Sequence, residues 1–374
     1  MEKPKMPESK EVRSEVMSTP EIVVQEEKGL QLFSLLQKAR NSDWGKKKGS
    51  LVEKTTQYFK DNPVDPEILK TLEELCEQGA DEESLCNAAL TYQHPERGID
   101  QILEMAAKYK PWLKDPEGAF RKFLSVLEQF DRDFSGSPLA AEFDDHIKQD
   151  MNKWREKEAS TREMVEEVIA FFRPDPNTTN VDRLIFAPTD PLVEKTSGRT
   201  FTGFQGEQVI ASHVDNEHNQ VHEFCHSIIN PVIEKLVLRL TDEQLEKVPQ
   251  LASETLIEEG YQGPFNLLCE EFVRTYNDKP VTYEGMIKTI SDLTEEDFQE
   301  ILKIQKGKLK SRCEQLGIET LDDLKSKSRE YFDRFLRNRL HELILELYQE
   351  YKDRPNPEAE NFEQFVLRNF PAKL

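Results

Sequence analysis

The stretch His222-Glu223-Phe224-Cys225-His226 sets two imidazoles four residues apart, with a carboxylate directly after the first. On an α-helix, residues i and i+4 share a face, so both rings reach one metal ion. Imidazole nitrogen is a good zinc ligand, and a catalytic zinc site keeps one coordination position open for water. A glutamate on that open side takes a proton from the water and makes it a nucleophile. The spacing points to metal-assisted hydrolysis. His222 and His226 are the expected Zn2+ ligands, Glu223 the general base, and the peptide bond the leading substrate.

Two histidines do not complete such a site, which normally takes three protein ligands. No histidine follows His226 before His341, and His213 and His218 precede the motif on an expected solvated loop. The better supplier is Leu267-Leu268-Cys269-Glu270-Glu271-Phe272-Val273-Arg274, which places acids inside an apolar helix. A carboxylate there is costly unless it is paired or metal-bound. Glu270 is the favoured third ligand, because Arg274 stands four residues on and can pair with it and orient it. Glu271 is its rival. Adjacent helix residues diverge by about 100°, so only one of the two faces the metal, and Glu271→Ala is expected to be nearly silent. Arg274 is also a candidate for stabilising an oxyanion, with Tyr261 and Tyr276 as alternatives.

These residues need elements to hold them. Val221, Phe224, Cys225, Ile228 and Ile229 recur at three- and four-residue steps, so the motif lies on a helix with a buried face. Asn230-Pro231 is expected to interrupt that helix, since the residue before proline disfavours the helical region. Before the motif, Asp182–Ala187 and Gln208–Ser212 read as short strands, with Gly203 and Gly206 flanking Phe204. An edge of that small sheet can pair with an extended peptide. From Gly29 to Arg173 the pattern is helical. Stripes run through Leu32, Leu35 and Leu36, through Ile68, Leu72 and Leu75, and through Phe120, Phe123, Leu124, Leu127 and Phe130. Ser160-Thr161-Arg162-Glu163 has the form of a capping box, and Pro174 and Pro176 end the helix after it. Beyond the motif, Thr241-Asp242-Glu243 and Thr294-Glu295-Glu296-Asp297 start helices, and Gly260 with Gly263-Pro264 makes a turn into a helix over Phe265–Tyr276. A last long helix carries Phe332, Phe335, Leu336, Leu340, Leu343, Ile344 and Leu347.

The expected fold class is α+β, mainly α-helical, with a small sheet before the motif helix and extensive helical additions. The expected regions are an arm over 1–28, a helical region over 29–173, a zincin-like core over 174–290 and a helical region over 291–374. The arm is rich in Glu, Lys, Pro and Ser and reads as disordered or loosely attached.

Lys+Arg 50 against Asp+Glu 72 leaves a formal charge of −22 over 374 residues. Such a surface repels nucleic-acid phosphates and anionic membranes, which excludes both as main partners. No apolar run reaches the length of a membrane span, and Met1–Lys28 lacks the apolar core of a secretory signal. Cys76, Cys86, Cys225, Cys269 and Cys313 are scattered and odd in number, which fits reduced core thiols in a cytoplasmic protein.

His222-Glu223-Phe224-Cys225-His226-Ser227 followed by Asn230-Pro231 resembles the H-E-F-x-H-S-x-x-N-P signature of an uncharacterised, mostly bacterial family. That family is catalogued as a domain of unknown function and looks like a gluzincin-type zinc metallopeptidase. Its downstream E-x-x-V-R element is matched by Glu270, Val273 and Arg274, while Thr275 stands where a small alanine-like residue is expected. The resemblance covers roughly Phe130–Tyr276. It implies a gluzincin-like core, a zinc ligand set of His222, His226 and Glu270, and a peptide or protein substrate, but not which one. Two rivals share the same residues. One is a non-enzymatic helical interaction module with a degenerate or structural metal site, and the other is a zinc hydrolase acting on non-peptide amides.

Overall fold

The structure, a computed structural model, describes residues 17–41, 50–94, 97–109, 112–179, 181–188, 199–204, 206–212, 214–258, 260–277, 282–304 and 308–374. It is mainly helical with one small sheet. Two compact units divide between Ser227 and Ile228, inside a continuous helix.

The unit from Glu15 to Ser227 opens with strand β1 (Glu21–Val24). Eight helices follow: α1 (Lys28–Arg40), α2 (Ser50–Asp61), α3 (Pro66–Glu77), α4 (Glu82–Ala89), α5 (Ile99–Tyr109), α6 (Pro116–Phe134), α7 (Pro138–Glu156) and α8 (Glu158–Phe172). Strands β2 (Val181–Pro188), β3 (Arg199–Phe204) and β4 (Gly206–Ser212) then lead into α9 (Glu217–Val237), which carries the motif. Three of the helices start by the same device. Asp65, Asp115 and Ser137 each accept a backbone N–H of the first turn through a side-chain oxygen, and Pro66, Pro116 and Pro138 follow at the first helical position. Proline costs nothing there, because that amide has no partner within the helix.

The sheet runs in the order β1-β2-β4-β3. Its first three strands are parallel, and β3 is an antiparallel edge. Parallel strands are covered on both faces, which is why Leu184, Ile185, Phe186 and Ala187 are all buried and not alternately so. On one side lies a core built around Leu32, Leu36, Leu75, Phe120, Phe123 and Leu127, which reaches Ile185 and Val209 of the sheet. Trp154 of α7 stacks on Phe186, with ring centroids 4.7 Å apart. Gly206 begins β4 at φ +73°, and a Cβ there would lie 2.6 Å from Asp182 Oδ2, so no other residue fits this turn without strain.

Several expectations change here. The arm expected over 1–28 contains β1, whose Glu21–Val24 pair with Arg183–Phe186, and α1 starts at Lys28. Residues 1–16 lie outside the described set. Strand β3 was not foreseen. No capping box stands at Ser160: α8 begins at Glu158, two residues earlier, and Ser160 Oγ donates back to the Lys157 carbonyl. Pro174 does mark the end, after Arg173 in the left-handed region at φ 47°.

The other unit, Ile228 to Leu374, holds the second half of α9 and then α10 (Asp242–Leu251), α11 (Glu254–Glu258), α12 (Gly263–Asn277), α13 (Tyr283–Ser291) and α14 (Glu295–Ile304). It continues with α15 (Lys308–Leu316), α16 (Leu321–Ser326), α17 (Ser328–Tyr331), α18 (Arg339–Lys352) and α19 (Phe362–Asn369). Thr241 starts α10 with a full capping box to Gln244, as its sequence predicts. Thr294 and Asp297 exchange the same pair of bonds before α14. The expected last long helix is broken. A π-helical turn follows α17 over Phe332–Leu336, Arg337 is extended, and Asn338 caps a new helix. Arg337 holds the corner by a two-pronged contact to Glu342, Nε–Oε1 2.9 Å and Nη2–Oε2 3.0 Å. The stripe from Phe332 to Leu347 thus serves two helices whose apolar faces happen to continue one another.

Helix α9 does not stop at Pro231 but runs through it to Val237. A proline inside a helix costs about 3 kcal/mol. On both sides of it Phe224, Cys225, Ile228, Ile229, Val232, Ile233 and Leu236 are buried. Each large apolar side chain contributes about 1.5–3 kcal/mol on burial, so several of them together outweigh the lost bond.

One ion network pins the sheet. The Arg97 side chain, 2% exposed, grips the Glu27 carboxylate with two bonds, Nη1–Oε2 2.7 Å and Nη2–Oε1 2.9 Å. Its Nε donates to Glu207 Oε2 at 3.0 Å and its Nη1 to the Leu90 carbonyl at 2.9 Å. The corner between β1 and α1 is thereby tied to β4. Arg97→Met should take from the buried Glu27 carboxylate its guanidinium partner, leaving Gln25 Nε2 at 3.1 Å and His94 Nε2 at 3.4 Å, and cost about 3–5 kcal/mol, read as a fall in the urea midpoint by circular dichroism. Adding Glu27→Leu to that variant should recover part of the loss, because an apolar pair carries no desolvation penalty.

Candidate metal centre

His222 and His226 lie one turn apart on α9, both half-buried, and their Nε2 atoms are 3.2 Å from each other. Two nitrogens bound to one tetrahedral zinc at about 2.0–2.1 Å would be about 3.3 Å apart, so the rings stand at the separation such an ion requires. Glu270 of α12 completes the group. The ligand atoms of His222, His226 and Glu270 all lie within 4.8 Å of one another, and no other such cluster occurs among the described residues. Two imidazole nitrogens and one carboxylate oxygen suit zinc better than a hard ion such as magnesium or calcium, which prefers oxygen ligands alone.

Glu270 is 2% exposed, so it does not belong to a solvated Glu–Arg face. Arg274 Nε donates to its Oε1 at 2.6 Å, the pairing expected at i, i+4. The Arg274 guanidinium also stands 5.4 Å from the centre of the Tyr261 ring. Burial, with the Glu270 charge beside it, pushes the Tyr261 phenol up to about 12, so Tyr261 stays protonated and able to donate. Tyr276 lies half-buried near the end of α12.

Glu271, the rival ligand, is engaged elsewhere. It is 1% exposed, and His341 Nδ1 lies 2.7 Å from its Oε1 while Asn338 Nδ2 donates to its Oε2 at 2.6 Å. The two neighbours diverge round the helix as adjacent residues must, one toward the histidines of the motif and one toward α18. Glu271→Ala, expected to be nearly silent for zinc affinity, would take from His341 and Asn338 the carboxylate they share.

Glu223 is buried and follows His222 on α9. Its backbone carbonyl accepts a bond of 3.2 Å from Gln208 Nε2 on β4, which fastens the motif helix to the sheet. Sequence reasoning did not single out Gln208. Its signal was a polar residue beside the apolar run Val209-Ile210 in a buried strand. Asn338 and His341 carried no such signal, since they come some seventy residues after α12 on a separate element.

His218 sits in the first turn of α9 and is exposed, not on a loop as expected, and His213 lies outside the described residues. All five cysteines are free. Cys86, Cys225, Cys269 and Cys313 are buried as core thiols should be, but Cys76 is exposed. Burial pushes the Cys225 thiol well up, and burial with the Glu270 and Glu234 charges does the same to Cys269, so neither is a thiolate nucleophile.

No protein-family model, curated protein or solved structure was found to match the chain.

The geometry separates the two glutamates by experiment. Wild-type protein should bind about one zinc per chain. His222→Ala and Glu270→Ala should each lose most of that affinity by titration against a chromophoric chelator. Arg274→Ala should weaken it about 10- to 100-fold, the usual cost of removing a group that orients a ligand. Full zinc content in Glu270→Ala would show that this carboxylate is not a ligand.

Proposed function

We propose that this protein is a zinc-dependent hydrolase of peptide bonds, with a gluzincin-type centre made by His222, His226 and Glu270. The observation that carries this reading is the convergence of those three ligand atoms within 4.8 Å, on a helix where a buried glutamate directly follows the first histidine. Three protein ligands, not four, suit a catalytic site with a position left for water. When bound, zinc would lower the pKa of a water and polarise the scissile carbonyl.

The chain's own residues do the rest. Glu223 accepts the proton of the attacking water and then delivers it to the leaving amine, so one carboxylate serves as base and then as acid. Arg274 holds the Glu270 carboxylate in place through its 2.6 Å bond. Tyr261, protonated and beside that pair, is a candidate to donate a hydrogen bond to charge developing on a carbonyl oxygen. The antiparallel strand β3 forms one edge of the sheet and is a surface on which an extended peptide can lie. Among the described residues no helix is long and apolar enough to cross a membrane.

Glu223→Gln should keep the metal and the fold while lowering turnover of a peptide library by about 100- to 10,000-fold. Unchanged turnover, by mass spectrometry of the products, would remove Glu223 from the role of base. Tyr261→Phe should lower kcat with KM little changed if the phenol acts only as charge develops. Should KM rise and kcat hold, Tyr261 binds substrate instead. Treatment with a chelator should abolish turnover, and added zinc should restore it.

A further inference from the structure

The most elaborate polar construction in the unit from Ile228 to Leu374 surrounds Glu271, a residue with no part in the chemistry above. Its carboxylate receives Asn338 Nδ2 on one oxygen and His341 Nδ1 on the other. Asn338 is also the N-cap of α18, where its Oδ1 accepts the His341 N–H at 3.1 Å. One side chain thus starts α18 and ties that start to α12. Thr275 adds a further contact. Its hydroxyl donates to the Glu271 carbonyl at 2.7 Å, so its oxygen is free to accept from His341 Nδ1, 3.2 Å away. Here lies a physical reason for a threonine where an alanine-like residue was expected. His341 Nδ1 faces the Glu271 carboxylate and the Thr275 hydroxyl, and Nε2 lies on the far side of the ring. That Nε2 is buried and has no hydrogen-bond partner. Burying an acid, an imidazole and an amide, with one nitrogen left unsatisfied, is an expensive way to join two helices. An apolar contact would join them at less cost, so the arrangement calls for a task beyond cohesion.

That task follows from where Glu271 sits. It is the immediate neighbour of Glu270, and any rotation of α12 that moved one would move the other. We propose that Glu271, His341, Asn338 and Thr275 form a clamp that fixes the rotation of α12, so that Glu270 and not Glu271 is presented as the third ligand. They are positioning residues, acting on the metal centre through the backbone of α12. A second bond from α18, Tyr348 Oη to the Phe272 carbonyl at 2.7 Å, holds the same turn of α12 from the next face. The proposal rests on the reading of His222, His226 and Glu270 as a metal centre.

The test uses the full chain with zinc and cobalt as probes. Three readouts are taken: zinc affinity by chelator competition, the visible absorption of the Co2+-loaded protein, and the melting temperature of metal-free protein. His341→Ala should lower zinc affinity about tenfold or more, the range for groups that orient a ligand, and alter the cobalt bands. His341→Asn places an amide nitrogen where Nδ1 stood and should restore most of the affinity and the bands. His341→Gln places its amide where Nε2 stood and should not. Thr275→Val should give a smaller loss in the same direction. Should His341→Ala fail to fold, the Asn, Gln and Val variants carry the comparison. A purely structural role would lower the melting temperature while leaving zinc affinity and the cobalt bands of the folded protein unchanged, and that result would overturn the proposal. Equal behaviour of the Asn and Gln variants would overturn it as well. A wild-type chain that binds neither ion would bring down the metal-centre reading and the clamp with it. A wild-type chain that binds both, beside an unaffected His341→Ala, would bring down the clamp alone.

Discussion

Two adjacent carboxylates buried on one helix are the constraint from which the C-terminal unit is organised. Glu270 and Glu271 of α12 are 2% and 1% exposed. A buried carboxylate without a partner is among the most costly features a fold can contain. Each must therefore be met by its own donors, and the two sets must come from different directions, because adjacent residues point about 100° apart. Glu270 is met by Arg274 on its own helix. Glu271 is met by α18, through His341 and Asn338. The break between the π-helical turn and α18 is intelligible in that light. A single straight helix over the whole stripe would have no N-terminus at residue 338, and it is the capping position that lets Asn338 face Glu271.

The motif helix poses the opposite problem. Under the proposed function its histidines must remain accessible enough to take an ion and a substrate, yet the helix that carries them must not move. Burial supplies the rigidity. Along α9, Phe224, Cys225, Ile228, Ile229, Val232, Ile233 and Leu236 are buried, and Gln208 adds a directional bond to the Glu223 carbonyl. Apolar burial resists withdrawal of the helix but leaves rotation and sliding cheap. A hydrogen bond from the sheet to a fixed carbonyl resists both. In the N-terminal unit the sheet is in turn locked by Arg97, Glu27 and Glu207, so that small strands otherwise held by few residues become a firm base.

What was legible in the sequence followed from short-range rules. The i, i+4 spacing of His222 and His226 and of Glu270 and Arg274 is a property of any helix, and both pairs meet as expected. The caps at Thr241 and Thr294 are local too. The errors arose where tertiary burial or distant residues overrode a local signal. Pro231 reads as a stop, yet buried isoleucines and valines on either side carry α9 through it. Ser160-Thr161-Arg162-Glu163 reads as a start, yet α8 begins two residues before it. Glu21-Ile22-Val23-Val24 is too short and too polar in its setting to announce a strand, and it becomes one only by pairing with β2, some 160 residues later. The partners of Glu271 were invisible for the same reason, since nothing at positions 338 and 341 points back to 271.

The charge arrangement at the metal centre bears on how binding relates to folding. In small metal-dependent domains the ligands repel or strain one another until the ion arrives, and binding and folding are one event. Here Glu270 already has a cationic partner in Arg274, and its neighbour Glu271 is satisfied by α18. The Nε2 atoms of the two motif imidazoles stand 3.2 Å apart. On the proposed reading, the burial of both carboxylates is offset by donors of the chain itself, Arg274 for Glu270 and His341 with Asn338 for Glu271. Under the proposed function, carboxylates held by fixed donors are also what catalysis requires, since a ligand set that moved when charge developed would give back the stabilisation it was built to provide.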